Sequence, residues 1–374
     1  MQYSYFDNIG EKVSKLGFGL MRLPKLEKDS EKIDREEAAK LVDTAYKNGV
    51  NYFDTAYFYH DGESELFVKD ALSRYPRESF FLATKMPGGS LKDGKTPDFL
   101  FNDQLRKCGV DYFDFYLLHA VSDDNFKYFE ESGAYEYLTE RKKEGKVKHI
   151  GFSYHGSFEF FKKVLDTHKW DFVQLQINYY DWEASNAKDF YAELKKRGIP
   201  CIVMEPVRGG SLHRLNDEAR AVFASLGEAS AASYALRYVA QLKNVMVVLS
   251  GMSEKEQIED NIKTFNECKP LTAEESAAVE KASVLFRKNF AIPCTACKYC
   301  VATCPGGVAI PDCFAVFNKY NETRNTDDFK ALYAGINEDA RADKCLDCKA
   351  CIERCPQSID IPDKLRKVAA LANK

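Results

Sequence analysis

The chain has 374 residues, 45% of them hydrophobic, with 53 Lys and Arg against 57 Asp and Glu for a formal net charge of −4. That length supports one large domain plus a small one, and the near balance of charge gives no basic face for nucleic acid. No apolar run approaches the ~20 residues that a membrane-crossing helix needs, so no membrane partner is expected.

In chain order, Met1–Asp7 lacks a basic stretch leading into an apolar core, so no signal peptide is expected. Met1–Lys15 reads as a hairpin that closes the bottom of a barrel. Predicted strands then run Leu16–Leu20, Asn51–Asp54, Phe80–Thr84, Tyr112–Leu118, His149–Ser153, Phe172–Leu175, Cys201–Met204 and Val245–Leu249. The clearest helix between them is Arg35–Asn48, with Asp34 as N-cap, Glu37 three residues on and Gly49 as its stop. Others are Ser64–Arg74, Pro97–Cys108, Asn125–Glu144, Phe158–His168, Ser185–Arg197, Glu228–Gln241 and Glu254–Phe265. Eight strand-then-helix units in about 250 residues predict an α/β fold of the (β/α)8 or TIM-barrel type. A doubly wound sheet is the rival, but no G-x-G-x-x-G comes after any strand.

Thr272–Arg287 reads as a further helix leading out of the barrel, and Asn289–Pro293 as a linker. The expected division is therefore a barrel over 1–288 and a small cluster domain over 289–374. The latter opens with Cys294, Cys297, Cys300 and Cys304 before Pro305, and the spacing returns in Cys345, Cys348, Cys351 and Cys355 before Pro356. This is C-x2-C-x2-C-x3-C-P written twice, the ligand run of bacterial ferredoxins, in which the fourth Cys reaches the other cluster. One [4Fe-4S] cluster is assigned to Cys294, Cys297, Cys300 and Cys355, and a second to Cys345, Cys348, Cys351 and Cys304. Zinc sites use two-Cys knuckles rather than four-Cys runs ending in Pro. Between the runs, Phe314–Tyr320 and Thr326–Leu332 read as helices, which predicts a mainly helical, ferredoxin-like two-cluster domain of two pseudo-symmetric lobes. Cys108, Cys201, Cys268 and Cys313 read as buried free thiols. Thiolate-held clusters need a reducing compartment, so cytoplasm is expected.

Barrel enzymes carry their chemistry at the carboxyl ends of the strands. Asp54, Lys85, His119 and Ser153 end the second to fifth strands; Gln174 lies in the sixth, and Glu205 comes just after the seventh. Tyr59 stands just beyond Asp54. Each alone has a plain reading, as a packing aromatic, a snorkelling lysine or a satisfied core histidine. Together a Tyr, Lys, His and Asp at one mouth form an acid-catalysis set.

Phe53-Asp54-Thr55-Ala56, Tyr59, Glu63-Ser64-Glu65, Thr84-Lys85, Leu117-Leu118-His119 and Gly151-Phe152-Ser153 together resemble the aldo/keto reductases, over roughly residues 15 to 266. With the tail, the chain is similar to the branch of that superfamily with a C-terminal ferredoxin-type domain. The resemblance implies NAD(P)H-dependent reduction of a small carbonyl substrate, with Tyr59 as proton donor, Lys85 and Asp54 supporting it, and His119 orienting the carbonyl oxygen. It also implies that Ser153 and Gln174 hold the nicotinamide carboxamide and that the loop of Glu205, Arg208 and Gly209 covers the pyrophosphate. Ser253, expected to cap the last barrel helix, would then act with Gln257 and Asn261 at the far end of the cofactor. Gly251, Met252 and Gln257 stand where NADPH-preferring members carry Lys, Ser and Arg, which leaves Lys255 and Arg208 as candidate 2′-phosphate partners. NADH and NADPH both stay open. Tyr154 and His60 are expected to narrow the nicotinamide end, and Arg22, Met86, Tyr57 and Tyr154 to line the substrate pocket.

A hydride carries two electrons, whereas a cubane exchanges one, and a flavin or a radical-forming substrate bridges that mismatch. No flavin motif is present, although barrels bind flavin phosphate without one. Three functions fit these residues: an oxidoreductase whose clusters and barrel share a redox path, with a ferredoxin or other carrier as partner; a carbonyl reductase with structural clusters; and a non-catalytic iron–sulfur carrier or sensor.

Overall fold

The computed structural model describes residues 1–27, 31–227 and 229–373. β1 (Tyr3–Tyr5) and β2 (Lys12–Ser14) pair antiparallel as the expected hairpin. All eight predicted barrel strands form: β3 (Leu16–Gly19), β4 (Tyr52–Asp54), β5 (Phe81–Pro87), β6 (Phe113–Val121), β7 (Val147–Tyr154), β8 (Phe172–Gln176), β9 (Cys201–Met204) and β10 (Val245–Ser250). They close in sequence order, with β10 pairing parallel to both β9 and β3.

Successive residues on a strand face opposite sides of the sheet. Tyr52, Phe81, Ala83, Phe115, Leu117, Phe172, Ile202, Val247 and Leu249 share one buried cluster with Ile9 and Val13 of the hairpin, which therefore plugs the amino end of the barrel. Stepping by two along the same strands leads from Tyr52 to Asp54, from Ala83 to Lys85, from Leu117 to His119 and from Phe172 to Gln174. The parity that fills the core thus delivers the polar residues to the opposite end. Gly151 on β7 is required by close approach: a Cβ there would press into the Phe172 carbonyl oxygen and lie 2.8 Å from its ring.

Asp34 caps the helix Arg35–Lys47 by accepting from the Glu37 backbone N–H at 3.1 Å. The expected helix Asn125–Glu144 is two, Phe126–Glu131 and Ala134–Lys143, broken at Gly133 with φ 65°. Ser185–Arg197 shortens to Ala187–Arg197 behind a turn at Asn186, whose φ is 53°. Glu228, the expected start of another helix, lies outside the described residues, and that helix runs Ala231–Ala240. The helix Asp217–Ala224, capped by Asn216, was not expected, because Ala219 and Phe223 are its only buried positions. No helix among the described residues is long and apolar enough to cross a membrane.

The chain forms two compact units, Met1–Pro206 with Ala232–Thr272, and Val207–Ala231 with Ala273–Lys374. This division differs from the expected boundary at 288/289. The helix Ala273–Asn289 and the segment from Val207 pack with the C-terminal residues, and Asn216 Nδ2 donates to the Leu285 carbonyl at 3.4 Å. The second unit is helical: Ile310–Thr323, Thr326–Ala334 and Ile361–Ala372 surround a core that includes Val308, Phe314, Phe329, Ile359, Leu365, Cys300 and Cys351. Ile310-Pro311-Asp312 and Ile361-Pro362-Asp363 open two of these helices identically, each with Pro in the first turn, the place where its missing N–H costs nothing.

Candidate active site

Lys85 occupies the centre of the barrel mouth. Its Nζ donates to Asp54 Oδ1 at 2.5 Å, to the Thr55 carbonyl at 2.7 Å and to Tyr59 Oη at 3.2 Å, which uses all three ammonium hydrogens. Lys85 and Asp54 are 1% and 3% exposed. Burial pushes Lys85 below the usual lysine range against the pull of Asp54, and pushes the Asp54 carboxyl up against Lys85 and Gln174. The Gln174 amide donates to Asp54 Oδ2 at 3.2 Å. His119 stands edge-on to Tyr59, with ring centroids 6.0 Å apart. Burial, then the charge of Lys85 and His155, hold its pKa well below the usual histidine range. It is a neutral imidazole at neutral pH, with one ring N–H.

Tyr59 is placed by an irregular turn. His60 and Asp61, the next two residues, both have φ 52°, a left-handed backbone that is costly without glycine. The Leu23 N–H donates to His60 Nε2 at 3.2 Å, so the proton sits on Nδ1 and faces the Glu31 carbonyl, also at 3.2 Å. His60 therefore latches two loops together and does not narrow the nicotinamide end. Tyr154 does not either. It has the outward parity next to inward Ser153, its hydroxyl donates to the Ser157 carbonyl at 2.8 Å, and its ring packs on Phe161. Tyr57 is likewise turned from the pocket, donating to Asp103 Oδ2 at 3.1 Å. Met86 is buried with the outward parity next to Lys85. Of the expected pocket residues, Arg22 stays at the mouth, paired with Glu205 at 3.0 Å.

Ser153 Oγ accepts from the Ala120 N–H at 2.8 Å. Ser253 does not cap the last barrel helix. The cap is Glu254 by backbone alone, Ser253 Oγ donates to the Arg22 carbonyl at 2.6 Å, and Gln257 Oε1 accepts from the Ser253 N–H at 2.9 Å. Asn261 is buried and donates to Ser250 Oγ at 2.9 Å. Lys255 is paired with Glu259 at 3.5 Å on an exposed face. Arg208 and Gly209 belong to the second unit, where Arg208 is fully buried and donates to the Pro293 carbonyl at 3.1 Å.

Several supporting residues have no role assigned from the sequence, although Thr55, Ser64, Glu65 and Thr84 belong to the segments that carry the resemblance. Glu65, wholly buried, accepts from Thr84 Oγ1 at 2.6 Å and Gln104 Nε2 at 2.5 Å, and Ser64 Oγ meets Thr55 Oγ1 at 2.8 Å. They clamp the loop carrying Asp54 and Tyr59 onto β5. Asn178, wholly buried, donates to Asp181 Oδ2 at 2.7 Å and to the Glu205 carbonyl at 3.0 Å, which fixes the turn after β9.

In the second unit, Cys294, Cys297, Cys300 and Cys355 line one cavity with Thr295, Ile310, Phe314 and Ile359. These are the four cysteines assigned together by spacing, with Cys355 arriving from the other run. The Cys351 thiol is pushed up to about 11 by burial, and then by Cys345, Cys304 and Cys348 around it. Both runs use the same backbone: Ala296 and Lys298 in one, Asp347 and Lys349 in the other, all have left-handed φ between 50° and 64°. Among the described residues no three His, Cys, Asp or Glu side chains converge as around a single ion, and a cubane needs no such convergence because each thiolate binds a different iron. The donor set fits the clusters. Cys108, Cys201 and Cys313 are buried free thiols as expected, whereas Cys268 is only half-buried.

The aldo/keto reductase family matches residues 15–284, and a 4Fe-4S dicluster domain matches residues 293–359. The chain belongs to the aldo/keto reductase family. The L-galactose dehydrogenase of Arabidopsis thaliana is 27% identical over 304 residues, covering 74% of this chain and 92% of that one. A probable aldo-keto reductase of Glycine max is 29% identical over 209 residues, 54% of this chain and 58% of that protein. The aldo-keto reductase AKR11C1 of Bacillus halodurans, in its holo form, superposes with a TM-score of 0.61 at 26% identity, covering 75% of this chain and 96% of that one. An aldo/keto reductase of Klebsiella pneumoniae in complex with NADP and acetate shares the fold, with a TM-score of 0.59 at 20% identity over 73% and 92% of the two chains. This aldo/keto reductase is thus an NAD(P)H-dependent oxidoreductase with an iron–sulfur dicluster domain.

Proposed function

We propose that the barrel reduces the carbonyl group of a small aldehyde or ketone, with Tyr59 as proton donor. The observation that carries this is Lys85 Nζ set between Asp54 Oδ1 and Tyr59 Oη at 2.5 and 3.2 Å. NAD(P)H, when bound, supplies the hydride. Negative charge then grows on the carbonyl oxygen, and a hydroxyl able to release its proton must be in reach. The Tyr59 O–H gives that proton, the alcohol leaves, and the Lys85 ammonium stabilises the phenolate left behind. Asp54 keeps Lys85 charged and oriented in a site from which water is excluded. Neutral His119 donates to the carbonyl oxygen without competing as an acid. Ser153 and Gln174 lie at strand ends suited to the carboxamide, and Glu205, Ser253, Gln257 and Asn261 serve the rest of the cofactor.

The eight cysteines hold two [4Fe-4S] clusters, which supply one-electron exchange. The paired Cys runs support a redox path through them, with a one-electron carrier of the ferredoxin kind as partner. Such clusters place the protein in a reducing compartment, the cytoplasm. Cys300 and Cys351 sit inside the hydrophobic core of the second unit, which favours a structural contribution from the clusters as a second reading. The barrel chemistry is tested with Tyr59→Phe. Aldehyde-dependent NAD(P)H oxidation falls by about 10²–10⁴-fold, while nicotinamide binding measured by fluorescence stays as in the native chain. Undiminished turnover removes Tyr59 as the acid.

A further inference from the structure

A buried cation needs a reason. Within the second unit Arg208 is 1% exposed and has φ 51°, a left-handed backbone strained for a residue other than glycine. Its Nη2 donates to the Pro293 carbonyl at 3.1 Å and to Gln357 Oε1 at 3.3 Å, and its guanidinium carbon lies 5.3 Å from the centroid of the Phe290 ring. Pro293 immediately precedes Cys294, and Gln357 stands two residues after Cys355. Gln357 also lines the cavity shared by Cys294, Cys297, Cys300 and Cys355. One guanidinium therefore joins the two segments that must meet to complete this thiolate set.

The repeat shows how unusual that is. The positions matching Pro293 and Gln357 in the other lobe are Lys344 and Gly306. There the backbones meet directly: a Cβ on Gly306 would lie 2.6 Å from the Lys344 carbonyl. No side chain can be inserted at that contact, whereas the first lobe is bridged by Arg208. Lys298 also lines the first cavity, but it is exposed and its charge is screened by water.

We propose that Arg208 is the positioning residue of the Cys294, Cys297, Cys300 and Cys355 site, and that its buried charge raises the reduction potential of the cluster held there. This rests on the reading of those cysteines as a [4Fe-4S] site. Uptake of one electron makes a thiolate-bound cluster more negative by one charge, and a fixed cation nearby favours that form. The segment after β9 thereby serves the cluster.

The test compares the anaerobically purified native chain with Arg208→Gln and Arg208→Lys. Iron and acid-labile sulfide are measured per chain, and both midpoints come from a dithionite titration read by EPR. The couples are assigned by repeating it in a Cys348→Ser chain, which perturbs the other cluster. Arg208→Gln is expected to keep its iron and sulfide while one couple, that of the Cys294 set, shifts. Its ratio of reduced to oxidised cluster at fixed potential falls about tenfold, or about 59 mV for one electron, and Arg208→Lys recovers part of this. A loaded Arg208→Gln chain with both midpoints unmoved overturns the proposal. Should Arg208→Gln lose iron, Arg208→Lys decides: iron restored, with the couple of the Cys294 set at or slightly below its native midpoint, supports the assignment, and a shift confined to the other couple overturns it. A native chain that binds no iron or sulfide overturns the cluster reading itself, a failure distinct from unmoved midpoints in a loaded chain.

Discussion

Lys85 and Asp54 form a pair buried at the carboxyl ends of neighbouring strands, and such a pair is costly to break from one side. In Lys85→Met the Asp54 carboxylate keeps Gln174 as its side-chain partner among the described residues. The variant is expected to lose turnover and about 3–5 kcal/mol of stability, read as a lowered melting temperature. Adding Asp54→Asn removes the stranded charge, so the double variant regains most of the melting temperature and none of the turnover. A double variant no more stable than Lys85→Met alone rejects the buried-charge account. His149 gives a pH signature. Burial, opposed by Asp171, pushes its pKa down to about 4, whereas an unfolded histidine titrates near ~6.5. Above ~6.5 both states are neutral and the stability is fully present. As pH falls toward 4 the unfolded chain takes up a proton that the fold refuses, and stability is lost. The native advantage in melting temperature over His149→Gln is therefore expected to shrink from pH 7 to pH 4.5, and a growing advantage contradicts the sign. At this scale the residues at strand ends were legible, because position along a strand fixes both parity and depth. His60 and Tyr154 were not, since a left-handed turn directs the first and outward parity the second.

Among the elements, β7 and β8 show how barrel closure constrains composition. Gly151 faces Phe172 across the register that pairs these two residues, and an added methyl meets backbone that cannot give way. Gly151→Ala is expected to cost about 1–3 kcal/mol by overpacking and to weaken turnover, because Ser153 and Gln174 lie on the same two strands. Thermal melting and steady-state rates read both effects, and a native melting temperature rejects the close approach. The strands were predicted to within a few residues because each is a short apolar run between turn signals. The helix Asp217–Ala224 shows no stripe in the sequence because it buries two positions, and Ser253 is no cap because Glu254 holds that place while the Ser253 hydroxyl donates to the Arg22 carbonyl.

For the whole molecule, the question is whether electrons pass between nicotinamide and clusters. Under the shared-path reading, NADH or NADPH added without oxygen bleaches the visible iron–sulfur absorption of the intact protein. No bleaching with either cofactor, in a chain whose iron is reduced by dithionite, sinks that reading and leaves clusters that hold the fold of the second unit. The sequence alone carried the barrel, the polar residues at its strand ends and the two Cys runs from which the exchange of Cys304 and Cys355 is proposed. Each is written in local spacing: strand periodicity, residues at strand ends, and two-residue gaps that curl three thiolates around one cubane. Only the tertiary structure decided where Arg208 goes, how His60 and Tyr154 turn, and that the segment from Val207 packs with the C-terminal residues. Those outcomes depend on partners such as Pro293, Gln357 and Leu23, far away in the chain, and no local pattern encodes a carbonyl waiting at the other end of a hydrogen bond.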